Sequence, residues 1–487
     1  MWRQITPGVL AIMLALAGCS TPVSPTPVPA TAPAAPAPTP APALTSSASA
    51  PSVPGAPAPP RQPGPPNGGD WPTYHRDPQR SGVAAGTFAL PAGTVQWQSD
   101  DLDGAIYAQP LLVGEQVILA TESDSVYALD AGNGQVRWRT ALGDPVPQSA
   151  LPCGNIDPVG ITSTPVVDAG GGVVYAVAFL QPPHHELVAL DLATGALRYR
   201  QPIDPPGADP HTQLQRAALA LSQGKVYVSY GGRLGDCGAY HGWVVSAQAS
   251  DGSLADVYQV PTQREGAIWA TGGPSLDGSG NLYVATGNGS SDTEFDFGNA
   301  VIRLGPDLQA QDWFAPSDWA TLNRRDLDLG STGPALLDNG LVFQIGKSGT
   351  GYLLRADALG HVGGQLFAGP VCNGAYGETA HQGTTIYVPC RNGLHAVHVG
   401  EASFAAAWQG PAFNAGPPIV VGDTVWTVDE GTGALYALAA DDGTIQQQVP
   451  PPSGAGPLPH FIAPAAAAGR LVVARGRSAL ALGPAAP

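Results

Sequence analysis

The sequence predicts an all-β fold, an eight-bladed β-propeller of four-stranded antiparallel blades whose last blade is closed by the amino-terminal strand. Three observations predict it. The first is the stretch 125–139, SVYALDAGNGQVRWR, in which two alternating segments flank Asp130-Ala-Gly-Asn-Gly134. Residues that accept positive φ or bond their own backbone make that insert a hairpin turn, and the alternation makes each flank a half-buried strand. Such a hairpin cannot bury its faces alone. The second is recurrence: the apolar position before each turn gives Leu129, Leu190, Ala247, Leu304, Leu354, Val397, Leu438 and Leu482. These eight anchors stand about 40 to 60 residues apart, the period of a propeller blade. The third is an imbalance between the ends. The final repeat has strand patterns at 461–465, 470–475 and 478–482 and then stops, whereas 94–99 (TVQWQS) is a lone strand with no hairpin before it. Pairing 94–99 with 478–482 closes the ring and removes its exposed edges.

In chain order, residues 1–19 read as a signal peptide, with Arg3 ahead of an apolar run at 9–17 that falls short of the roughly 20 residues a membrane span needs. Leu16-Ala-Gly-Cys19 resembles the lipobox of bacterial lipoproteins, which implies cleavage before Cys19, its acylation, and anchoring of the protein at a membrane surface of the cell envelope. Residues 20–69 are almost entirely Pro, Ala, Ser and Thr, a composition that cannot offset its chain entropy by burial and reads as a disordered, semi-rigid tether. Residues 70–487 form one domain, because each blade packs on its neighbours and the ring grows without enlarging a single core. In its first repeat, strand patterns at 106–113 and 116–121 meet at a Gly114 turn ahead of the opening hairpin.

Composition excludes several classes of function. With 21 Lys and Arg against 38 Asp and Glu, a net charge of −17 and no basic stripe, the chain is no nucleic-acid binder. GxSxG, HExxH, Walker and dinucleotide motifs are absent, and no CxxCH builds in a haem. With Cys19 set aside, Cys153, Cys237, Cys372 and Cys390 make an even set, which in an exported protein points to two disulfides. Cys372 and Cys390 flank the turn at Gln382-Gly383 and are expected to bond across that hairpin. Cys153 enters the second blade and Cys237 lies in the middle loop of the third, on one face of adjacent blades, so they form the other expected pair. The count alone leaves other pairings open.

The segment 71–82 (WPTYHRDPQRSG) and the YALD…G…W units together resemble the pyrroloquinoline-quinone (PQQ) type of propeller. That superfamily includes quinoprotein alcohol dehydrogenases and cofactor-free scaffolds such as BamB. In Glu265-Gly-Ala-Ile-Trp269 and the Thr-Gly-Asn of 286–288, Trp269 is similar to the dehydrogenases' quinone floor and Asn288 to a calcium ligand. Asp326-Leu-Asp328 resembles the segment bearing their catalytic aspartate, with Asp326 as the base and Asp328 a further metal ligand. Lys347 resembles the lysine that anchors the cofactor. The chemistry is coherent: an aromatic face for a flat quinone, oxygen donors for Ca2+, a carboxylate as general base and an ammonium for developing negative charge. Two departures stand out. Their adjacent Cys-Cys pair is replaced by Leu151-Pro-Cys153-Gly154, and the loop 231–242, where their calcium-binding glutamate belongs, contains no Glu, leaving Asp236 as its stand-in.

Other candidates are Asp292, Glu294 and Asp296, a carboxylate series that reads as a solvated loop or a cation site, and His184-His185, which reads as exposed and inert. The segment Cys237-Gly-Ala-Tyr-His-Gly-Trp243 reads as a pocket rim or a disulfide loop. The reading is an exported, lipid-anchored binding or scaffold module that takes an unknown protein or small molecule on the loop face carrying Asp236, Trp269, Asn288, Asp326 and Lys347. The alternative is a PQQ- and calcium-dependent dehydrogenase of alcohols or sugars with a remodelled site. An assembly role through exposed blade edges is a third.

Overall fold

A computed structural model describes residues 69–85, 95–451 and 458–483. The signal segment, Cys19 and the tether up to residue 68 lie outside the described residues.

The described chain forms eight antiparallel sheets taken up in sequence order. The first comprises Leu111–Val113, Gln116–Thr121, Ser125–Asp130 and Val136–Ala141, paired in that order from the axis outward. The eighth comprises Ala465–Ala467, Arg470–Arg475, Ser478–Leu482 and, outermost, Val95–Gln98, with Val95 opposite Leu482 and Gln98 opposite Leu480. The amino-terminal strand thus closes the ring as its sequence implied. Three features depart from plain repetition: a short helix Trp319–Arg324, a two-residue strand Gln213–Leu214 that pairs with Gly231 and Gly232 in the third blade, and a two-residue strand His361–Val362 that adds parallel to the edge of the fourth.

The recurrent hairpin has a packing reason. Trp97 of the closing strand lies on the hairpin turn of the first blade and donates from Nε1 to Ala131 O at 2.9 Å. Trp138 repeats this on the second blade through Leu192 O (3.1 Å), and Trp408 on the seventh through Ala440 O (3.0 Å). The turn glycine is required there: Gly134 has φ +74°, and a methyl on it would stand 2.5 Å from the Trp97 ring. These three junctions are therefore each stapled by one aromatic ring and one indole hydrogen bond, and Tyr199 takes the same place between the second and third blades through its hydroxyl on Ala249 O (3.1 Å).

Residues 70–84 form an element that repetition does not predict, a strap across the base of the axis. Trp71 pairs with Leu112 of the first blade and Val83 with Val420 of the seventh. Between them, Pro72 O accepts from Val167 N (2.8 Å), Pro78 O from Leu276 N (2.8 Å) and Ser81 O from His381 N (2.9 Å), satisfying the open edges of innermost strands in three more blades. Arg80, 2% exposed, donates to Thr73 Oγ1 (2.6 Å), Tyr74 O (3.0 Å), Leu219 O (3.0 Å) and Pro274 O (3.2 Å). Asp70 Oδ1 accepts from Gly114 N at 2.9 Å, so the strap enters beside the turn that joins the two inner strands of the first blade. Because neighbouring strands alternate in direction, that turn lies on the face opposite the middle loops and the interblade connections.

Both disulfides form as expected, Cys153–Cys237 and Cys372–Cys390. The second does not cross the hairpin: Cys372 lies upstream, in the connection before Ala380–Gln382, and the hairpin partner Cys390 ends Thr385–Cys390. His184 and His185 also differ from their exposed reading. They begin the strand His184–Asp191, and His185, 1% exposed, packs against Phe179 and Tyr230 with Nδ1 at 2.7 Å from Asp204. No described helix is long and apolar enough to cross a membrane.

Candidate functional site

The middle loops and interblade connections surround a cavity of about 390 Å3 on the face away from the strap. Asp236, Trp269, Asn288, Asp326, Asp328 and Lys347, widely separated in sequence, all line it.

Short backbone links between loops set these positions. Glu265 bridges both His241 and Gly289, while Gly266 N donates to Asn288 O (2.9 Å) and Gly287 N to Ala267 O (2.8 Å). The segments carrying Trp269 and Asn288 therefore run bonded side by side. Gly287 leaves room here, since a methyl would stand 3.2 Å from Asp328 Cγ and 3.3 Å from Trp269 Nε1 and press on both. Asn299 Oδ1 accepts from Leu329 N (2.6 Å), Asn323 Oδ1 accepts from Gly289 N (3.0 Å), and the two amides bond each other (2.7 Å). This buried network ties the Asp326–Asp328 turn to the Asn288 loop.

Asp328 is the centre of the polar cluster. Its Oδ1 accepts from Asn288 N (2.8 Å) and its Oδ2 from Trp269 Nε1 (3.1 Å), with Lys347 Nζ 2.9 Å from Oδ2. Lys347 Nζ also donates to Asp326 Oδ1 at 2.7 Å and stands 5.8 Å from the Trp269 ring centre. Burial alone would lower the Lys347 ammonium, but the Asp328 and Asp326 carboxylates outweigh it and hold it above its ordinary range. Asp326 itself is open, with 65% of its side chain exposed. Asp236 lies on the rim and accepts from Tyr240 OH (2.6 Å).

Glu265 is the residue that sequence reasoning left without a role. It is 5% exposed, with φ +74°, and its Oε2 accepts from Asn288 Nδ2 at 3.2 Å. Burial pushes its carboxyl up; Arg264, its ion-pair partner, opposes this, and Asp236, Asp328 and Asp296 add to it. The loop 231–242 indeed holds no glutamate, yet the fold brings one to Asn288 from another segment. Its place four residues before Trp269 was the available signal. Among the described residues, no group of three His, Cys, Asp or Glu side chains is arranged to hold a metal ion. Asp236, Asn288 and Asp328 thus share the cavity without forming a ready-made cage. Of the carboxylate series, Asp292 faces Arg324 at 3.5 Å, and Asp296 turns inward toward Gly298 N (3.3 Å).

The remaining wall is aromatic and cationic. Phe461 stands 6.1 Å from Trp269 and 6.0 Å from Tyr376, with which it is nearly parallel. Arg216, Arg233 and Tyr107 line the side toward the first three blades. The Cys153–Cys237 bridge joins the two rim loops that contribute Asn155 and Ile156 on one side and Leu234, Gly235 and Asp236 on the other.

Four buried acids elsewhere in the ring give a measurable pH dependence. Burial pushes Glu122 and Glu430 up to about 7, Glu378 to about 8 and Asp124 to about 9. Each holds its proton more tightly folded than unfolded, so it contributes stability that is lost as pH rises through the folded value. Buried histidines act oppositely, His75 being lowered to about 3 by burial, but their contribution is complete above about pH 6.5. The thermal midpoint is therefore expected to fall between about pH 6.5 and pH 9, and Glu378→Gln to flatten that slope by up to ~1.4 kcal/mol per pH unit below its folded value. A midpoint that rises across this window in a differential scanning measurement would contradict the assignment.

Comparison with known proteins places this geometry. A curated polyvinylalcohol dehydrogenase of Sphingopyxis sp. (strain 113P3) is 24% identical over 254 residues, which is 46% of this chain and 35% of that protein. The match thus spans about a third of that relative's length. Among solved structures, a quinohemoprotein alcohol dehydrogenase from Pseudomonas putida HK5 superposes with TM-score 0.67 at 16% identity, covering 86% of this chain and 81% of the other. BamB from Moraxella catarrhalis superposes with TM-score 0.54 at 14% identity, covering 81% of this chain and 98% of the other. These likenesses establish the fold. The family model described as outer membrane protein assembly factor BamB matches residues 81–358, more than half of the 487-residue chain. The chain therefore belongs to that family of PQQ-type β-propellers.

Proposed function

We propose that the loop-face cavity is the ligand site of an extracytoplasmic oxidoreductase of the quinoprotein kind, acting on the hydroxyl group of an alcohol or sugar. The carrying observation is convergence: Trp269, Asn288, Asp326, Asp328 and Lys347 come from separate loops yet line one cavity, and Glu265 stands beside Asn288. The alcohol-dehydrogenase names of two comparison proteins support the reaction class.

The aromatic floor and the lysine fit a flat quinone, and Glu265 with Asn288 offers a hard cation oxygen donors that fall short of a full cage. Trp269 and Lys347 would hold PQQ, and Glu265 and Asn288, as oxygen donors, would hold Ca2+. Bound together, these groups supply a two-electron acceptor polarised by a Lewis acid. The chain's own part is positional and protonic. Lys347 fixes the Asp326 carboxylate at the cavity mouth, where its exposure lets it take the proton of an incoming hydroxyl. Trp269 Nε1 and Asn288 N fix Asp328, which in turn orients Lys347.

A second reading, a cofactor-free binding module, has its own observation. Lys347 already engages both Asp326 and Asp328, a polar cluster that is satisfied without any cofactor. Titrating the purified full chain with PQQ and CaCl2, while following tryptophan fluorescence and then dye reduction over a panel of alcohols and sugars, separates the two. Saturable quenching with alcohol-dependent dye reduction is expected. No binding at roughly 100 µM PQQ, an affinity weaker than about −5.5 kcal/mol, leaves the binding module as the reading.

The two disulfides support export, and anchoring through an acylated Cys19 remains part of the proposal. Mass spectrometry of the membrane fraction, expected to find a diacylated amino-terminal cysteine, tests it.

A further inference from the structure

We propose that Arg216 and Arg233 form an anion subsite in the cavity wall that takes a carboxylate of the bound ligand. Both side chains are almost fully buried, at 7% and 3% exposure, yet both reach the cavity. Neither forms an ion pair with a carboxylate among the described residues. Among the described residues, Arg216 donates only to Thr162 O (3.3 Å) and His460 O (3.1 Å), and Arg233 only to His211 O (2.7 Å) and Pro210 O (3.3 Å). A guanidinium carries five N–H donors, so most of the fork of each is left for something in the cavity. The unpartnered nitrogens, Arg216 Nε and Arg233 Nη1, are not sealed away, in contrast to those of Arg475, which lie closed inside the protein.

Burying a charge without a counter-charge costs several kcal/mol, so a matched pair of such groups facing one cavity calls for an anion. The surroundings supply none. Glu122 and Glu430 act on Arg216, and Glu122 and Asp209 on Arg233, from beyond ion-pairing distance. Glu122 and Glu430 are also raised by burial to about 7, which leaves them partly protonated at neutral pH. The flat faces are already arranged, Arg216 over Tyr107 at 5.6 Å and Arg233 over Phe179 at 4.7 Å, so each fork is pre-oriented. Planar bidentate donors match a carboxylate. Across the cavity, the carboxylates of Asp326 and Asp328 would repel one, so the ligand's acid group is directed to the arginine side.

The inference rests on the ligand-site reading above, and the carboxylate has two sources: the quinone cofactor's own acid groups or those of an acidic substrate. Three probes on the full chain distinguish them: PQQ, its trimethyl ester and succinate, each followed by tryptophan fluorescence and by thermal shift. If the cofactor supplies the carboxylate, Arg216→Gln and Arg233→Gln weaken PQQ by roughly tenfold each, while the ester binds both variants and the parent alike. If the substrate supplies it, PQQ affinity is unchanged and the succinate shift is lost. Arg216→Lys and Arg233→Lys, which keep the charge, report whether a loss follows from folding, since they should retain part of the anion response. Variants with parental midpoints that bind PQQ, ester and succinate as the parent does overturn the subsite while leaving the quinone reading intact. A parent that binds succinate through these arginines but no PQQ overturns the quinone reading and leaves the subsite. A parent that binds none of the three overturns both.

Discussion

Arg80→Met is expected to destabilise the ring by about 4 kcal/mol, the largest stability effect of any single substitution proposed for this chain. The guanidinium is the knot of the strap, donating to one hydroxyl and three main-chain carbonyls that belong to the strap itself, Leu219 and Pro274. Losing it strands buried acceptors at about 1–3 kcal/mol each, and no water path reaches a site that is 2% exposed. Part of that is offset, because burial already disfavours the charge and lowers the group to about 10. The sum of the stranded acceptors is therefore an upper bound. Arg137→Ala is the control: its ion pair with Asp130 is on the surface, and less than about 1 kcal/mol is expected. Urea denaturation of both variants decides the matter. An Arg80→Met midpoint close to that of Arg137→Ala would mean that the strap is an ornament on a ring that stands without it.

Trp269→Ala should remove roughly 10- to 100-fold of any quinone affinity, the equivalent of about 1–3 kcal/mol of aromatic stacking. The loss exceeds that of an isolated ring because the same side chain holds Asp328 through Nε1 and lies beneath Lys347. With the indole gone, Asp328 keeps Asn288 N and Lys347, so the fold should survive while the floor does not. The expected signature is a parental melting midpoint with PQQ quenching lost. Undiminished PQQ binding would rule out Trp269 as the stacking surface, and with it the carry-over of the dehydrogenase pattern to this loop.

Legibility in the sequence divides along a physical line. The blades could be read because their determinants are local: Leu129, a glycine turn and Trp138 recur together, and a missing strand at one end matches a spare strand at the other. Six cavity side chains could be named because they sit in short motifs that resemble known ones, although their roles are not settled by position alone. Glu265 could not be assigned, because what matters is its nearness to Asn288 across two loops, and no spacing along the chain encodes that. Arg216 and Arg233 drew no reading from the sequence, since an unpaired charge becomes visible only when all its neighbours are known. The strap was legible as a motif and opaque as an object: without a period, the segment 71–82 offers no hint that it crosses the axis. His185 shows the same limit in miniature, as a polar pair between prolines that in fact starts a strand.

The position of Asp70 gives the molecule a foot and a mouth. The chain enters the ring beside Gly114, at the end of the axis that the strap crosses, while the binding chamber lies at the other pole. A guest in that chamber and the point where the chain joins the ring at Asp70 thus stand back to back, and neither crowds the other.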